Sequence, residues 1–589
     1  MDYLKRHKIF IVFGVYLISA ILYTYPLVFN LQTQLIGRGG LDGFQYIWNL
    51  FSFWYQLGNF QSPFYNQLIF YPIGANLLFS DYSSFTSFIG FPFLTMSVLF
   101  MNLIIILGLS FSAFFAYILI YKLTNKSFIV SILGGFIYGF SPTISAFIET
   151  QHNYYLIASA FLPLLLLFVI YFIETPHKYL KRLILLSWML FFASYYFFIL
   201  YIILAGTFVC CTLFSNEVRK RIFNKKNTHY LIKSILFFIF TLVIILTFIF
   251  LNAGDLNNWS GSKSSYAESC NANLAGFITP SDQNFFLGEH FSSFLYRGFH
   301  FSENGDTPFY YLGILFITGV FLGISYYWRR KYVLAFIVTF FVIFVFSLGL
   351  VIRIGDHIYL EGSQTPFYYL TKLPLLGMID CPIRFVGGIH LIIAILFSLF
   401  LSFLLKQKRR LGIFIIYISF ASLLFDYSVS NFSFVSVYTP RVYTVIAQTN
   451  DQKTVLELPS GLAESKGAFG YDWPSEGLHT RQLYWQTIYK KPRMGGYISR
   501  IPESTYTYFK TTPVIADLFT LTSLDGQWSG KMFSLEEKQQ FIKTFNLGYI
   551  IIEPEARQIQ FRDALEEVLE GIPYEKEQID NYLLYRIIQ

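Results

Sequence analysis

Long apolar runs, separated by short polar breaks, fill the chain as far as Tyr427. Eleven of them have the length expected of membrane-spanning helices: roughly 9–29, 100–121, 128–148, 155–173, 183–195, 197–214, 232–252, 310–327, 332–351, 385–405 and 411–427. The stretch Leu183 to Phe214 is too long for one upright span and is read as two short helices turning near Ser194, Tyr195 and Tyr196. Another apolar stretch, about Ser84 to Val98, is interrupted by Gly90 and Pro92 and is expected to be an interfacial or re-entrant piece. Long polar segments remain at 30–83, 253–309 and 352–384.

Beyond Tyr427 the periodicity changes. Lys453 to Pro459, Leu547 to Pro554 and Asn581 to Ile587 read as strands, whereas Glu536 to Phe545 and Gln558 to Ile572 have helical spacing. The fold class expected is an α-helical polytopic membrane protein of about eleven transmembrane helices (1–427) with a carboxy-terminal extracytoplasmic α/β domain (428–589).

Charge orients this arrangement. The breaks assigned to the cytoplasm, together with the amino-terminal tail, hold 21 Lys and Arg against 3 acids, whereas the alternate breaks hold 6 against 13. By the positive-inside rule the amino terminus is cytoplasmic and the carboxy-terminal domain lies outside, in a multi-pass cell-membrane protein. Lys5, Arg6 and Lys8 precede the first run as they would in a signal peptide. The run is long and lacks a small-residue cleavage site, so it is read as a retained helix.

Only 13% of the 589 residues are charged and 54% are hydrophobic, which excludes a single soluble globule. Basic residues sit in short clusters between apolar runs, so no nucleic-acid partner is implied. The four cysteines are too few for a disulfide scaffold, although Cys270 and Cys381 both fall in predicted external loops and could bridge.

Several polar groups exceed what loops need. Asp42 follows a glycine-rich turn (GRGG) and precedes Phe44, Ile47, Trp48 and Phe51, spaced for an amphipathic interfacial helix. Its carboxylate could act as a general base toward an acceptor hydroxyl, or it could simply cap the helix. Asp81 has the same two readings, with a metal or sugar hydroxyl as its ligand in the first. Glu149-Thr150-Gln151-His152-Asn153 is a dense polar turn in which His152 could move a proton or bind a phosphate, with Glu149 to polarise it. Arg384 stands where the charge rule disfavours a cation, and its guanidinium suits a lipid-linked phosphate. Its alternative partners are Asp380 or a lipid headgroup. Glu303, Asp306 and Tyr310 are weaker candidates. No HExxH, paired CxxC or phosphate-binding glycine loop is present, so no cofactor is indicated.

These features together resemble the GT-C superfamily of membrane glycosyltransferases. More narrowly, the chain resembles a bacterial and archaeal group of lipoteichoic-acid-type glycosylating membrane proteins. The resemblance is carried by Asp42-x-x-Gln45-x-x-Trp48, Tyr71-Pro72-x-Gly74-x-Asn76, His152-Asn153, Pro382-x-Arg384-Phe385 and Val455-Leu456-Glu457-Leu458-Pro459, in that order along the chain. It implies an inverting glycosyltransferase taking a sugar from a polyprenyl-phosphate donor to a cell-envelope acceptor, with Asp42 as catalytic base. Gln45, Trp48, Asp81, Glu149, His152, Asn153 and Arg384 would bind substrate, and membrane lipids are further partners. Many superfamily members carry a pair of acids where Asp42 is flanked by Leu41 and Gly43. That departure favours a metal-independent base, or a partner acid at Asp81 or Glu149, with a divalent metal remaining open. The alternatives are a transporter or flippase of a lipid-linked saccharide, or a non-catalytic envelope assembly protein. Flipping would call for polar residues inside the spans, and these are scarce.

Overall fold

The computed structural model describes residues 2–588 apart from 39–41, 79, 254–269, 281–283, 289–309, 331, 356, 374–375, 377–378, 380, 430–431, 465–466, 471–476, 524 and 556. Glu303, Asp306 and Asp380 therefore lie outside the described residues. The chain divides into two compact units, one of residues 1–38, 102–245 and 263–434, the other of 39–101, 246–262 and 435–589.

Helices occupy every predicted apolar run: Asp2–Tyr23, Ser97–Leu123, Phe128–Gly139 with Pro142–Glu149, Asn153–Glu174, Pro176–Ala193, Tyr195–Leu213, Lys225–Ala253, Ile314–Tyr327, Val333–Ser347, Val386–Gln407 and Arg409–Asp426. Among the described residues, six stretches are long and apolar enough to cross a membrane: Phe91–Leu123, Phe128–Glu149, Asn153–Glu174, Tyr195–Leu213, Asn227–Ile245 and Pro382–Gln407. Ile9–Tyr23, Ile314–Ile324 and Val333–Ser347 are apolar but shorter. The protein is thus a multi-pass membrane protein, with six stretches meeting that measure where sequence reading expected eleven. The stretch at 183–214 does break in two, because extended backbone at Ser194 ends one helix and the Ser194 side chain caps the next.

In the first unit Val386–Gln407 is buried along nearly its whole length. It packs on Phe128–Gly139, Ile314–Tyr327, Val333–Ser347 and Arg409–Asp426. A Cβ at Gly134 would run into Ser398 Oγ, so the glycine lets two backbones approach as membrane helices commonly do. Cys270 and Cys381 are joined as a disulfide. The Ile383 N–H donates to the Cys270 carbonyl beside it, tying this loop to the start of the buried helix.

The second unit is built on a four-stranded sheet in the order Tyr574–Ile579, Tyr582–Ile587, Leu547–Ile552, Thr454–Leu458. The first two pairs are antiparallel and the last is parallel. All three predicted strands are present, and Leu535–Thr544 and Gln558–Leu569 are helical as expected. Residues 43–82, read from sequence as part of an external loop, contribute to this unit's core: Trp48, Ile69, Phe70, Ala75 and Leu77 pack with Leu456, Leu458, Leu483, Ile550 and Ile552. Helix Gly43–Gly58 lies against helix Leu478–Tyr489. Its apolar stripe was expected to face the membrane interface. Instead Phe44, Ile47 and Trp48 are buried, Trp48 in the same core as the aliphatic side chains of the sheet.

Candidate functional site

The residues singled out by sequence fall into two sets, one in each unit. In the second unit Asp42 precedes helix Gly43–Gly58 but its side chain makes no capping bond. Its Oδ2 lies 3.4 Å from the Tyr46 hydroxyl, one helical turn on, and its Oδ1 lies 3.3 Å from the Tyr497 hydroxyl. Asp81 does not cap either, since Ser83 caps helix Ser84–Ile89. Asp81 Oδ2 lies 3.3 Å from the same Tyr46 hydroxyl. Two acids 39 positions apart in the chain, both half-buried, thus converge on one phenol, which has a single proton to donate. Asp42 and Asp81 are the residues of this unit that could ligate a divalent cation there, supplying part of the six or so oxygens such an ion takes.

The other two residues of this set differ in kind. Gln45 is completely buried, and neither its amide oxygen nor its nitrogen has a hydrogen-bond partner among the described residues. Such a group is costly to leave unsatisfied, by about 1–3 kcal/mol. Trp48 is also fully buried, but its indole N–H donates to Gln486 Oε1 at 2.7 Å, inside the core. It offers a substrate no surface and supports the helix that carries Asp42.

In the first unit the polar turn after Pro142–Glu149 is organised around two cations. Glu149, almost completely buried, accepts from Arg38 Nε at 3.2 Å and from Ser433 Oγ at 2.9 Å. Gly37 (φ +111°) makes this approach possible, as a Cβ there would strike the carbonyls of Ile148 and Glu149. The expected polarisation of His152 by Glu149 does not occur, because Glu149 is taken up by Arg38 and Ser433. His152 Nδ1 instead lies 2.6 Å from Thr150 Oγ1, and its Nε2 lies 3.1 Å from Arg384 Nη2. A guanidinium only donates, so Nε2 accepts and the ring proton sits on Nδ1. Burial and the adjacent Arg384 both push the imidazole well below the usual histidine range, so His152 is neutral.

Arg384 follows Pro382 in the turn Pro382–Phe385 and is itself half-buried. Its Nη1 donates to the Tyr155 hydroxyl at 2.8 Å, and its guanidinium lies over the rings of Tyr155 and Tyr196, 4.9 and 4.8 Å from their centroids. Asn153 opens the helix Asn153–Glu174 and is buried, with no partner for its Oδ1 among the described residues. This set makes a fixed cation with aromatic walls and a neutral histidine behind it, suited to an anionic oxygen.

The family model described as "Domain of unknown function (DUF6311)" matches residues 11–425. This chain belongs to that family. No curated protein matches the sequence. Among solved structures it is similar to the arabinofuranosyltransferase AftD from Mycobacteria, at 10% identity and a TM-score of 0.55, covering 99% of this chain and 40% of AftD. A mutant form of AftD gives 12%, 0.56, 99% and 41%. The chain therefore spans about two fifths of that enzyme's length. The Archaeoglobus fulgidus oligosaccharyltransferase overlaps less well, with 11% identity, 98% of this chain, 74% of that one and a TM-score of 0.47, and nothing below rests on it. The DUF6311 chain thus has a fold like that of the arabinofuranosyltransferase AftD.

From sequence, Tyr46, Tyr497, Thr150, Tyr155 and Tyr196 have no assigned role in a site. Tyr46 had a local signal, since it stands four residues after Asp42 on a predicted helix. Tyr497, 455 positions away from Asp42, had none.

Proposed function

We propose that this protein transfers a sugar from a polyprenyl-phosphate donor to a cell-envelope acceptor at the extracytoplasmic face, inverting the anomeric carbon. Asp42 takes the proton of the acceptor hydroxyl as that oxygen attacks the anomeric carbon. The bond from that carbon to the phosphate oxygen breaks, and polyprenyl phosphate leaves as the anion. Arg384, backed by His152 and the rings of Tyr155 and Tyr196, offers a phosphate oxygen a fixed cation. A phosphate is a good leaving group, so one base is enough and no metal is required. The amino terminus is cytoplasmic, a reading supported by the distribution of Lys and Arg and by the Cys270–Cys381 disulfide, which belongs in an oxidising compartment.

The observation that carries this reading is the convergence of Asp42 and Asp81, neither serving as a helix cap, on the Tyr46 hydroxyl of a chain with a GT-C-like fold. The test is mass spectrometry of envelope glycolipids, polymers and glycoproteins from cells carrying the wild-type chain, no chain, or Asp42→Asn. One sugar increment should be missing both without the chain and with Asp42→Asn, the variant being present at its normal level. Unchanged glycosylation in Asp42→Asn cells would remove the assignment, and build-up of a complete lipid-linked saccharide would indicate flipping instead.

A further inference from the structure

We infer that Tyr497 is a positioning residue, holding the Asp42 carboxylate in its working orientation from a strap of the carboxy-terminal region. The inference rests on reading Asp42 as the base.

The strap is residues 493–499, and it is fastened at both ends to the segment that carries the second acid. At one end the Arg493 N–H donates to the Leu68 carbonyl at 2.8 Å and the Tyr71 N–H donates to the Arg493 carbonyl at 3.1 Å. At the other the Asp81 N–H donates to Ser499 Oγ at 3.0 Å, and the Ser499 N–H donates to Ser80 Oγ at 3.3 Å. Its opposite side is held to the interior of the unit. Met494, Gly496 and Ile498 donate in turn to the carbonyls of Val455, Gly461 and Ala463, at 3.3, 2.9 and 3.2 Å. Gly496 makes the close approach possible, because a Cβ there would stand 3.1 Å from the Phe70 ring.

Tyr497 therefore projects from a backbone with little freedom. Its ring is buried and lies 4.8 Å from the His479 ring. Burial and then Arg493 hold that imidazole down to a pKa of about 3, so a neutral ring sits behind the phenol. The Tyr497 hydroxyl lies 3.3 Å from Asp42 Oδ1, whereas the Tyr46 hydroxyl, 3.4 Å from Oδ2, shares its one proton with Asp81 Oδ2 at 3.3 Å, so Tyr46 alone cannot fix Asp42. Two donors from two elements fix a planar group better than one can, since a single contact leaves rotation about the side-chain bond. A base gains from being held within a narrow angular range of its proton. The strap brings no acid of its own to the pair; it brings the phenol that orients one acid and the serine that anchors the other.

The test uses the full chain in lipid nanodiscs, with a polyprenyl-phosphate lipid extract of the source cells as donor. Envelope material from cells lacking the chain is the acceptor, and the sugar mass increment is followed in time. Tyr497→Phe removes the hydroxyl and keeps the ring. It should lower the rate at saturating acceptor about tenfold, the loss expected for one oriented hydrogen bond to a charged group. The half-saturating amount of acceptor and the thermal unfolding profile should stay at wild-type values. A merely structural tyrosine would not separate these quantities. If Asp42→Asn is inactive while Tyr497→Phe keeps the wild-type rate, or loses rate and acceptor affinity together, the positioning role is overturned and the base assignment stands. If Asp42→Asn is active, the base assignment fails and takes this inference with it. Should Tyr497→Phe not fold, Ser499→Ala decides. It loosens the same strap and also frees Asp81, so it is read beside Asp81→Asn: a saturating rate lowered in Ser499→Ala but not in Asp81→Asn supports the role, and a wild-type rate in Ser499→Ala or an equal loss in both overturns it.

Discussion

Arg493 and Glu457 meet as an ion pair with both side chains fully buried, Nη2 standing 2.9 Å from Oε2. Glu457 also accepts from the Tyr489 hydroxyl, and Arg493 Nη2 also donates to Gln482 Oε1, so the pair is embedded in a wider polar network. Burial still raises the Glu457 pKa, with Arg493 only partly offsetting it. Removing one partner leaves an uncompensated charge in the interior.

Arg493→Met should therefore destabilise the second unit by about 3–5 kcal/mol, the usual cost of breaking a buried pair from one side. Thermal unfolding of the full chain in nanodiscs checks this. Glu457→Gln combined with Arg493→Met should cost less than Arg493→Met alone, since no stranded carboxylate remains.

Glu553 gives a pH dependence of known sign. Burial raises its pKa to about 8, even though Gln482 and Tyr443 both donate to it. In the unfolded chain it ionises near the ordinary 4.5. The stability contributed by the neutral carboxyl is therefore complete below about 4.5 and is lost as pH rises toward about 8. The slope in that window is at most about 1.4 kcal/mol per pH unit for one proton. Glu553→Gln should flatten the fall in melting temperature between pH 5 and 8. Parallel curves for variant and wild type would show that this carboxyl does not govern it.

Arg384→Lys should reduce sugar transfer about tenfold to a hundredfold without unfolding the chain. A lysine ammonium lacks the planar fork that addresses Tyr155 and His152 together while lying over two rings. The readout is the time course of the envelope mass increment. His152→Gln, which keeps an acceptor for the guanidinium, should be milder than His152→Ala.

The Cys270–Cys381 bridge can report on sidedness. Both residues are buried, so cells dissolved in denaturant with a maleimide should leave these two cysteines unlabelled unless a reductant is added first. Labelling of both without reductant would remove the support that the bridge lends to the proposed orientation.

What the sequence disclosed was what local period dictates. The apolar runs appeared as helices, and KTVLELP, LGYIIIEP and NYLLYRI as strands, because each carries its own signal over five to ten residues. The break at Ser194 was legible from charge alone. Trp48 lies in the core rather than at an interface, and a tryptophan on an amphipathic stripe looks alike in sequence whether the stripe meets lipid or a sheet. Glu149 was assigned to its neighbour His152, whereas its partner Arg38 lies 111 positions upstream, beyond the reach of any spacing rule. The two acids were found by residue type, and their shared phenol only by folding.

The burial of residues 43–82 among side chains near the carboxy terminus bears on how the protein is made. A ribosome delivers Asp42 early and Tyr497 455 residues later. At about 5–20 residues per second, on the order of half a minute or more separates them. Throughout that interval the early segment has no sheet to close upon, and Asp42 lacks the Tyr497 hydroxyl. A nascent polypeptide would hold the membrane helices before the surroundings of Asp42 are assembled, so on the proposed function assembly precedes chemistry.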